Sequence, residues 1–264
     1  MTDEIDAALA EEKIQAVMTD GFPGHRLTTT LEWADMILDD AALQDLQEIK
    51  RWIEHGEVLM QAWKLNIKPG YLCLFHGPTG SGKSLAAAIL GKATGHAVYD
   101  IDLVSLLAGA SRFSIDGVLA FATAHDWILV FDEADIAFAA GHDNRSTNQK
   151  TAWLLQRLEE HRGIAILTSN LASRSDEAFA RRFQSVVHFP IPNAENRLRL
   201  WQDSFGKVVD QNEVDLTALA RDYEITGGAI RYAVRHAAIQ ASRRETKAIW
   251  MSDVVDGIQR QANP

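Results

Sequence analysis

The chain has 264 residues, 47% of them hydrophobic, enough for one large domain or a large and a small one. A formal net charge of -10 argues against a general nucleic-acid-binding surface and leaves room only for a local basic patch. The single cysteine, Cys73, excludes an internal disulfide and a cysteine-based zinc site, and the nine histidines show no metal-ligand spacing. No stretch has the ~20 consecutive apolar residues that a bilayer span requires. Met1 to Ala10 is acidic and lacks a long apolar run, so it does not read as a signal peptide, and a cytoplasmic protein is expected.

Asp3 to Asp20 carries helical periodicity in Ile5, Ala8, Leu9, Ile14 and Val17, then meets the breaker cluster Gly21-Phe22-Pro23-Gly24. Residues 1–30 are thus expected to be a helical arm, either mobile and docking elsewhere or packed on its own domain. Leu31 to Leu38 reads as an extended or linker segment. Asp40 to Trp63 reads as a long helix with Leu43, Leu46, Ile49, Ile53 and Leu59 on one side. Lys68-Pro69-Gly70 then turns the chain into an apolar strand, Tyr71 to His76.

Gly77-Pro78-Thr79-Gly80-Ser81-Gly82-Lys83-Ser84 follows and opens an alanine-rich helix that begins with Leu85 and Ala86. This is the phosphate-loop pattern G-x-x-x-x-G-K-[ST] in its strand–loop–helix setting. Gly77, Gly80 and Gly82 permit backbone angles that turn successive N–H groups toward an anion, and the helix adds its positive dipole end. The residues Gly77 to Leu85 are therefore expected to bind nucleotide. Lys83 should reach the β- and γ-phosphates, and Ser84 should ligate Mg²⁺.

Strands are expected at Ala97–Leu103, Trp127–Phe131, Gly163–Thr168 and Val186–Pro190. Helices are expected between them at Ile115–His125, Asn148–His161 and Asp176–Arg182. With Tyr71–His76, this alternation predicts an α/β fold with a five-stranded parallel sheet covered on both faces. Beyond Pro192 only helices remain, at Ala194–Phe205, Leu216–Asp222, Gly228–Arg243 and Ser252–Arg260. Residues 31–192 are thus expected to form the core and residues 193–264 a small helical lid. Ile128-Leu129-Val130-Phe131-Asp132-Glu133 is a buried strand ending in two acids at the usual ligand crevice. Asp132 is expected to hold the Mg²⁺ shell, and Glu133 to orient and deprotonate the attacking water.

These motifs, with Ile166-Leu167-Thr168-Ser169-Asn170 and Asp176–Phe183 (DEAFARRF), resemble those of the AAA+ ring-forming ATPases. The resemblance implies ATP and Mg²⁺ as cofactors, a P-loop core with a helical lid, and a homo-oligomeric ring, a hexamer. It implies a sensing role for Asn170 and an arginine finger at Arg181 or Arg182, reaching the neighbouring subunit's site. Such a cation stabilises the transferred phosphoryl group, worth roughly 10³–10⁵ in rate. Arg231, in Gly228-Ala229-Ile230-Arg231, matches a second sensor closing from the lid, with Arg235 competing on the same helix.

Phrases such as LEWADMIL, EIKRWIEH, DWILVFDEAD and AFARRF further resemble the ATPases encoded with phage-tail-like contractile injection systems. A protein client, such as an injection-system component, is implied, with no membrane partner. Relatives of that branch carry a lysine–tyrosine-like pore motif after the second strand. Here Leu103 to Phe113 has no such pair, and Leu106, Leu107 or Phe113 would have to substitute. Two other readings stand beside this one. One is a nucleic-acid loader or transposition helper using Arg243-Arg244, Lys247 and the Arg157–Arg162 region. The other is a nucleotide-dependent scaffold with little turnover.

Overall fold

A computed structural model describes residues 22–109, 111–132, 134, 145–170, 177–206, 214–244 and 248–262. The arm expected over Asp3–Asp20, the acid Glu133 and Lys247 lie outside the described residues. The core elements are β1 (Gly24–Leu27), α1 (Asp40–Trp63), β2 (Tyr71–His76), α2 (Lys83–Thr94), β3 (Val98–Ile101), α3 (Leu103–Leu107), α4 (Ile115–Ala124), β4 (Ile128–Phe131), α5 (Arg145–Glu160), β5 (Ile164–Ser169), α6 (Glu177–Ala180) and β6 (Ser185–His188). Helices α7 (Ala194–Phe205), α8 (Leu216–Asp222), α9 (Gly227–Ser242) and α10 (Met251–Ala262) complete the chain.

The sheet has six strands in the order β1-β3-β4-β5-β2-β6. Five run parallel, as their sequence pattern requires, and β1 adds an antiparallel edge against β3. The expected five-stranded parallel sheet is thereby corrected to a mixed sheet of six. The breaker cluster concealed β1, because its strand is made by pairing with β3 rather than by local propensity. Gly24 suits that place: a Cβ there would lie 2.7 Å from the Asp100 carbonyl oxygen. Just before β1, Phe22 packs edge-on against Tyr99, Phe113 and Trp127.

Successive side chains of a strand point to opposite faces, which builds two cores. On one face Leu72, Leu74, Leu129, Phe131 and Leu167 pack with Val118 of α4 and Leu154 and Leu158 of α5. On the other, Cys73, Phe75, Val130 and Ile166 pack with Leu46 and Ile49 of α1 and Ile89 and Leu90 of α2. Helix α1 starts where Asp39 accepts a hydrogen bond from the Ala42 N–H and stops at Lys64, whose φ is 51°. A third apolar cluster belongs to the C-terminal helices, around Trp201, Leu219, Ile230 and Val254. At its junction with the sheet, buried Arg197 donates to the Ala220 and Pro192 carbonyls at 2.8 and 2.5 Å. The Asn196 amide donates to the Leu38 carbonyl at 3.0 Å, tying α7 to the stretch before α1. Among the described residues, no helix is long and apolar enough to cross a membrane.

Candidate active site

The phosphate loop leaves β2 at His76 and enters α2 at Lys83. Gly77 has φ +148° and passes so near Phe189 that a Cβ would lie 2.0 Å from its carbonyl oxygen, so only glycine fits. The Lys83 ammonium is buried and donates to the carbonyls of Gly77 (2.8 Å) and Pro78 (3.1 Å) and to Asn170 Oδ1 (2.9 Å). Strand register explains the last contact: His76 pairs with Ser169, so Asn170 emerges beside the loop. His76 stacks on His188 at 4.7 Å between ring centres. Burial, then the charges of His188 and Lys83, hold the His76 imidazole below its ordinary pKa.

Asp132 follows β4. The Ser84 hydroxyl donates to Asp132 Oδ2 at 3.0 Å, and Thr168 Oγ1 donates to the other carboxylate oxygen, Oδ1. Pairing of Phe131 with Leu167 puts Thr168 there. Nothing in the sequence marks Thr168, which reads as one more position of a buried strand. Asp100, at the end of β3, is the next acid along the sheet edge. Burial and the charge of Asp132 raise its pKa, opposed by His25 and by a hydrogen bond from the Asp132 main chain.

Two adjoining cavities meet at the loop. One, of about 300 Å³, is lined by Thr79, Lys83, Ser84, Asp132, Asn170 and Arg231, among others. The other is more apolar and runs between Met36–Asp39, Leu85, Ile89, Pro190–Asn193 and Leu200. The segment read as a linker, Leu31–Leu38, is thus a wall of this second cavity. Arg231 lines both, whereas Arg235 is exposed and lines neither. Helix α9 touches the loop directly: the Gly228 N–H donates to the Gly80 carbonyl at 2.9 Å.

Arg181 and Arg182 are not brought to this cleft. Both are exposed on the turn between α6 and β6, and Arg182 donates to Glu159 Oε1 at 2.7 Å. Leu106, Leu107 and Phe113 are half-buried against the core, and Phe113 meets Phe22 at 5.6 Å. Val104 is the large apolar residue of that stretch that is exposed.

The donor set fits a triphosphate with Mg²⁺. Ser84 and Asp132 offer hard oxygens, and the Ser81 hydroxyl in the loop is buried with no hydrogen-bond partner among the described residues. The family model described as "ATPase family associated with various cellular activities (AAA)" matches residues 73–191.

The matched stretch has the α/β AAA+ P-loop fold.

The AAA domain and its flanks are similar to 26S proteasome regulatory subunit 6A of Encephalitozoon cuniculi, 30% identical over 244 residues, covering 83% of this chain and 61% of that protein. They are similar also to the probable inactive ATP-dependent zinc metalloprotease FTSHI 1 of Arabidopsis thaliana, 26% identical over 257 residues, covering 88% of this chain and 27% of that one. The chain therefore spans about a quarter to three-fifths of these curated relatives. A solved structure described as "Structural Basis for Katanin Self-Assembly" superposes with a TM-score of 0.67 at 19% identity, covering 93% of this chain and 89% of that one. At that identity the likeness shows the shared fold.

Proposed function

We propose that the AAA domain hydrolyses ATP and that turnover moves the helical lid against the sheet. One observation carries this reading: Lys83, Ser84, Asp132 and Asn170 converge at the ends of neighbouring strands, with Arg231 of the lid lining the same cavity. The β- and γ-phosphates would replace the carbonyls now accepting from Lys83. Ser84 and Asp132 would hold Mg²⁺, which neutralises phosphate charge. Glu133 would take the proton of the attacking water, and Asn170 would orient that water or the γ-phosphate. Arg231 would report the phosphate state to the lid, a rigid-body switch.

Self-assembly into a hexameric ring, with Arg181 or Arg182 serving the neighbour's site, extends this reading, as does a protein client that is remodelled. The proteasomal relative and the katanin-like fold support it. A contractile injection apparatus as client rests on the sequence phrases alone. The nucleic-acid reading is weakened by how its basic residues are used. Arg244 pairs with Asp253 at 2.5 Å and stacks on Trp250, and Arg157 pairs with Asp116 and Glu160.

Phosphate release by the full chain with ATP and Mg²⁺ tests the proposal, beside Glu133→Gln. Sizing with and without nucleotide, in wild type and Arg181→Ala/Arg182→Ala, tests the ring. Turnover lost in Glu133→Gln and nucleotide-dependent assembly are expected. Equal turnover in wild type and Glu133→Gln would remove Glu133 as the base. A monomer at all nucleotide concentrations with full activity would remove the shared site.

A further inference from the structure

The carbonyl of Leu38 stands just outside a helix. Asp39 caps α1, and its carbonyl is the first to accept along that helix, from the Leu43 N–H at 3.0 Å. One residue earlier, the Leu38 carbonyl accepts instead from the side-chain amide of Asn196, at 3.0 Å. Asn196 is buried in the first turn of α7, where its main-chain N–H donates to the capping Asn193. Its amide is aimed as well as buried: Oδ1 accepts from Arg199 at 3.4 Å, which leaves Nδ2 facing Leu38. The next residue, Arg197, ties the same turn to the Pro192 carbonyl. One turn of α7 therefore grips both sides of the apolar cavity, Met36–Asp39 on one and Pro190–Asn193 on the other. Farther back along the first side, Lys92 of α2 holds the carbonyls of Thr30 and Leu31 at 3.0 and 3.1 Å.

We propose that Asn196 is a positioning residue for nucleotide binding, setting the width of the slot that receives the base. The apolar cavity shares Gly80 and Gly82 of the phosphate loop with the polar one. With a triphosphate on the loop, a flat apolar ring would lie between Met36–Asp39 and Pro190–Asn193, mostly out of water. Asn196 does not line that cavity; it acts through Leu38, which does. Without the amide, the Leu38 carbonyl loses its partner and that wall relaxes toward water, widening the slot. The phosphate contacts stay as they are, because Lys83 and Ser84 line the other cavity.

This inference rests on the ATPase reading, so the experiment has one arm with hydrolysis and one without. Steady-state phosphate release gives KM and kcat for ATP in wild type, Asn196→Ala and Asn196→Leu, the last keeping the bulk of the side chain without its donor. Competition against a fluorescent ATP analogue compares ATP with inorganic tripolyphosphate, which carries the phosphates and no base. In both variants KM should rise about threefold to tenfold, the effect of one neutral hydrogen bond, with kcat within about twofold of wild type. ATP should bind more weakly by the same factor, and tripolyphosphate as well as it binds wild type. The proposal is overturned if KM stays within about twofold, or if tripolyphosphate weakens as much as ATP. It is overturned too if Asn196→Leu matches wild type while Asn196→Ala does not, since packing would then suffice. Absence of turnover in wild type would overturn the ATPase reading, and the competition arm, which needs no hydrolysis, still decides the inference.

Discussion

Thr168→Val removes one hydroxyl from the site and little else. Thr168 is 1% exposed, and valine has nearly its volume, so the space around β5 stays filled. What disappears is the hydrogen bond to Asp132 Oδ1, while Ser84 still donates to Oδ2. A hydrogen bond to a charged group contributes about 1.5–3 kcal/mol net, equivalent to roughly ten- to 150-fold in an equilibrium constant. Because Asp132 is proposed to hold Mg²⁺, that loss should appear in the cation dependence. Phosphate release at saturating ATP, titrated with Mg²⁺, should show half-maximal turnover displaced upward by about tenfold or more. A melt of the same protein separates this from unfolding. A Thr168→Val titration overlaying that of wild type, with an unchanged maximal rate, would refute the reasoning that Thr168 aims the cation ligand.

Further outcomes follow from other parts of the structure. Burial holds the His161 imidazole down to about 4, so the folded state binds fewer protons than the unfolded state between that value and the ordinary 6.5. Its contribution to stability is therefore lost as pH falls through this window, by about 2 kcal/mol from pH 7 to 5, and urea midpoints should show it. His161→Leu should flatten that dependence, and an identical slope in the variant would contradict the assignment. Gly228→Val places a Cβ 2.9 Å from the Gly80 Cα, forcing the lid off the loop. Its kcat/KM should fall about tenfold or more in steady-state assays, since misplacement near 1 Å costs that order, and an unchanged value would show that this contact does not set lid closure. Asp253 accepts from Arg244 and from the Trp250 N–H, and those bonds hold its carboxyl below the usual range. Asp253→Ala should lower the melting temperature, whereas unchanged melting would mean that this pair does not anchor α10 to α9.

The elements legible in the sequence are those whose signal is local. Ala194–Phe205 and Leu216–Asp222 have the limits expected of them, because Asn193 and Asp215 cap their first turns and the apolar periodicity is unbroken. The phosphate loop was legible because glycines, a lysine and a hydroxyl at fixed spacing have one common use. What escaped depends on tertiary neighbours. Strand β1 forms only because β3 offers an edge, and Leu31–Leu38 becomes a cavity wall only because Pro190–Asn193 and Leu200 of α7 face it. Thr168 and Asp100 acquire their places from strand register, which residue type alone does not reveal. Leu106, Leu107 and Phe113 read as spare apolar residues because nothing local announced that Phe22 and the sheet would take them in.

The central claim is that the buried Lys83 ammonium anchors a triphosphate. Titrating a fluorescent ATP analogue into the full-length chain, in wild type and Lys83→Ala, addresses it without requiring turnover. Saturable binding by wild type and an affinity at least about tenfold weaker in Lys83→Ala are expected, since a charged hydrogen-bond donor is lost. Equal affinity in the two proteins, or no binding by a folded wild type, would contradict it.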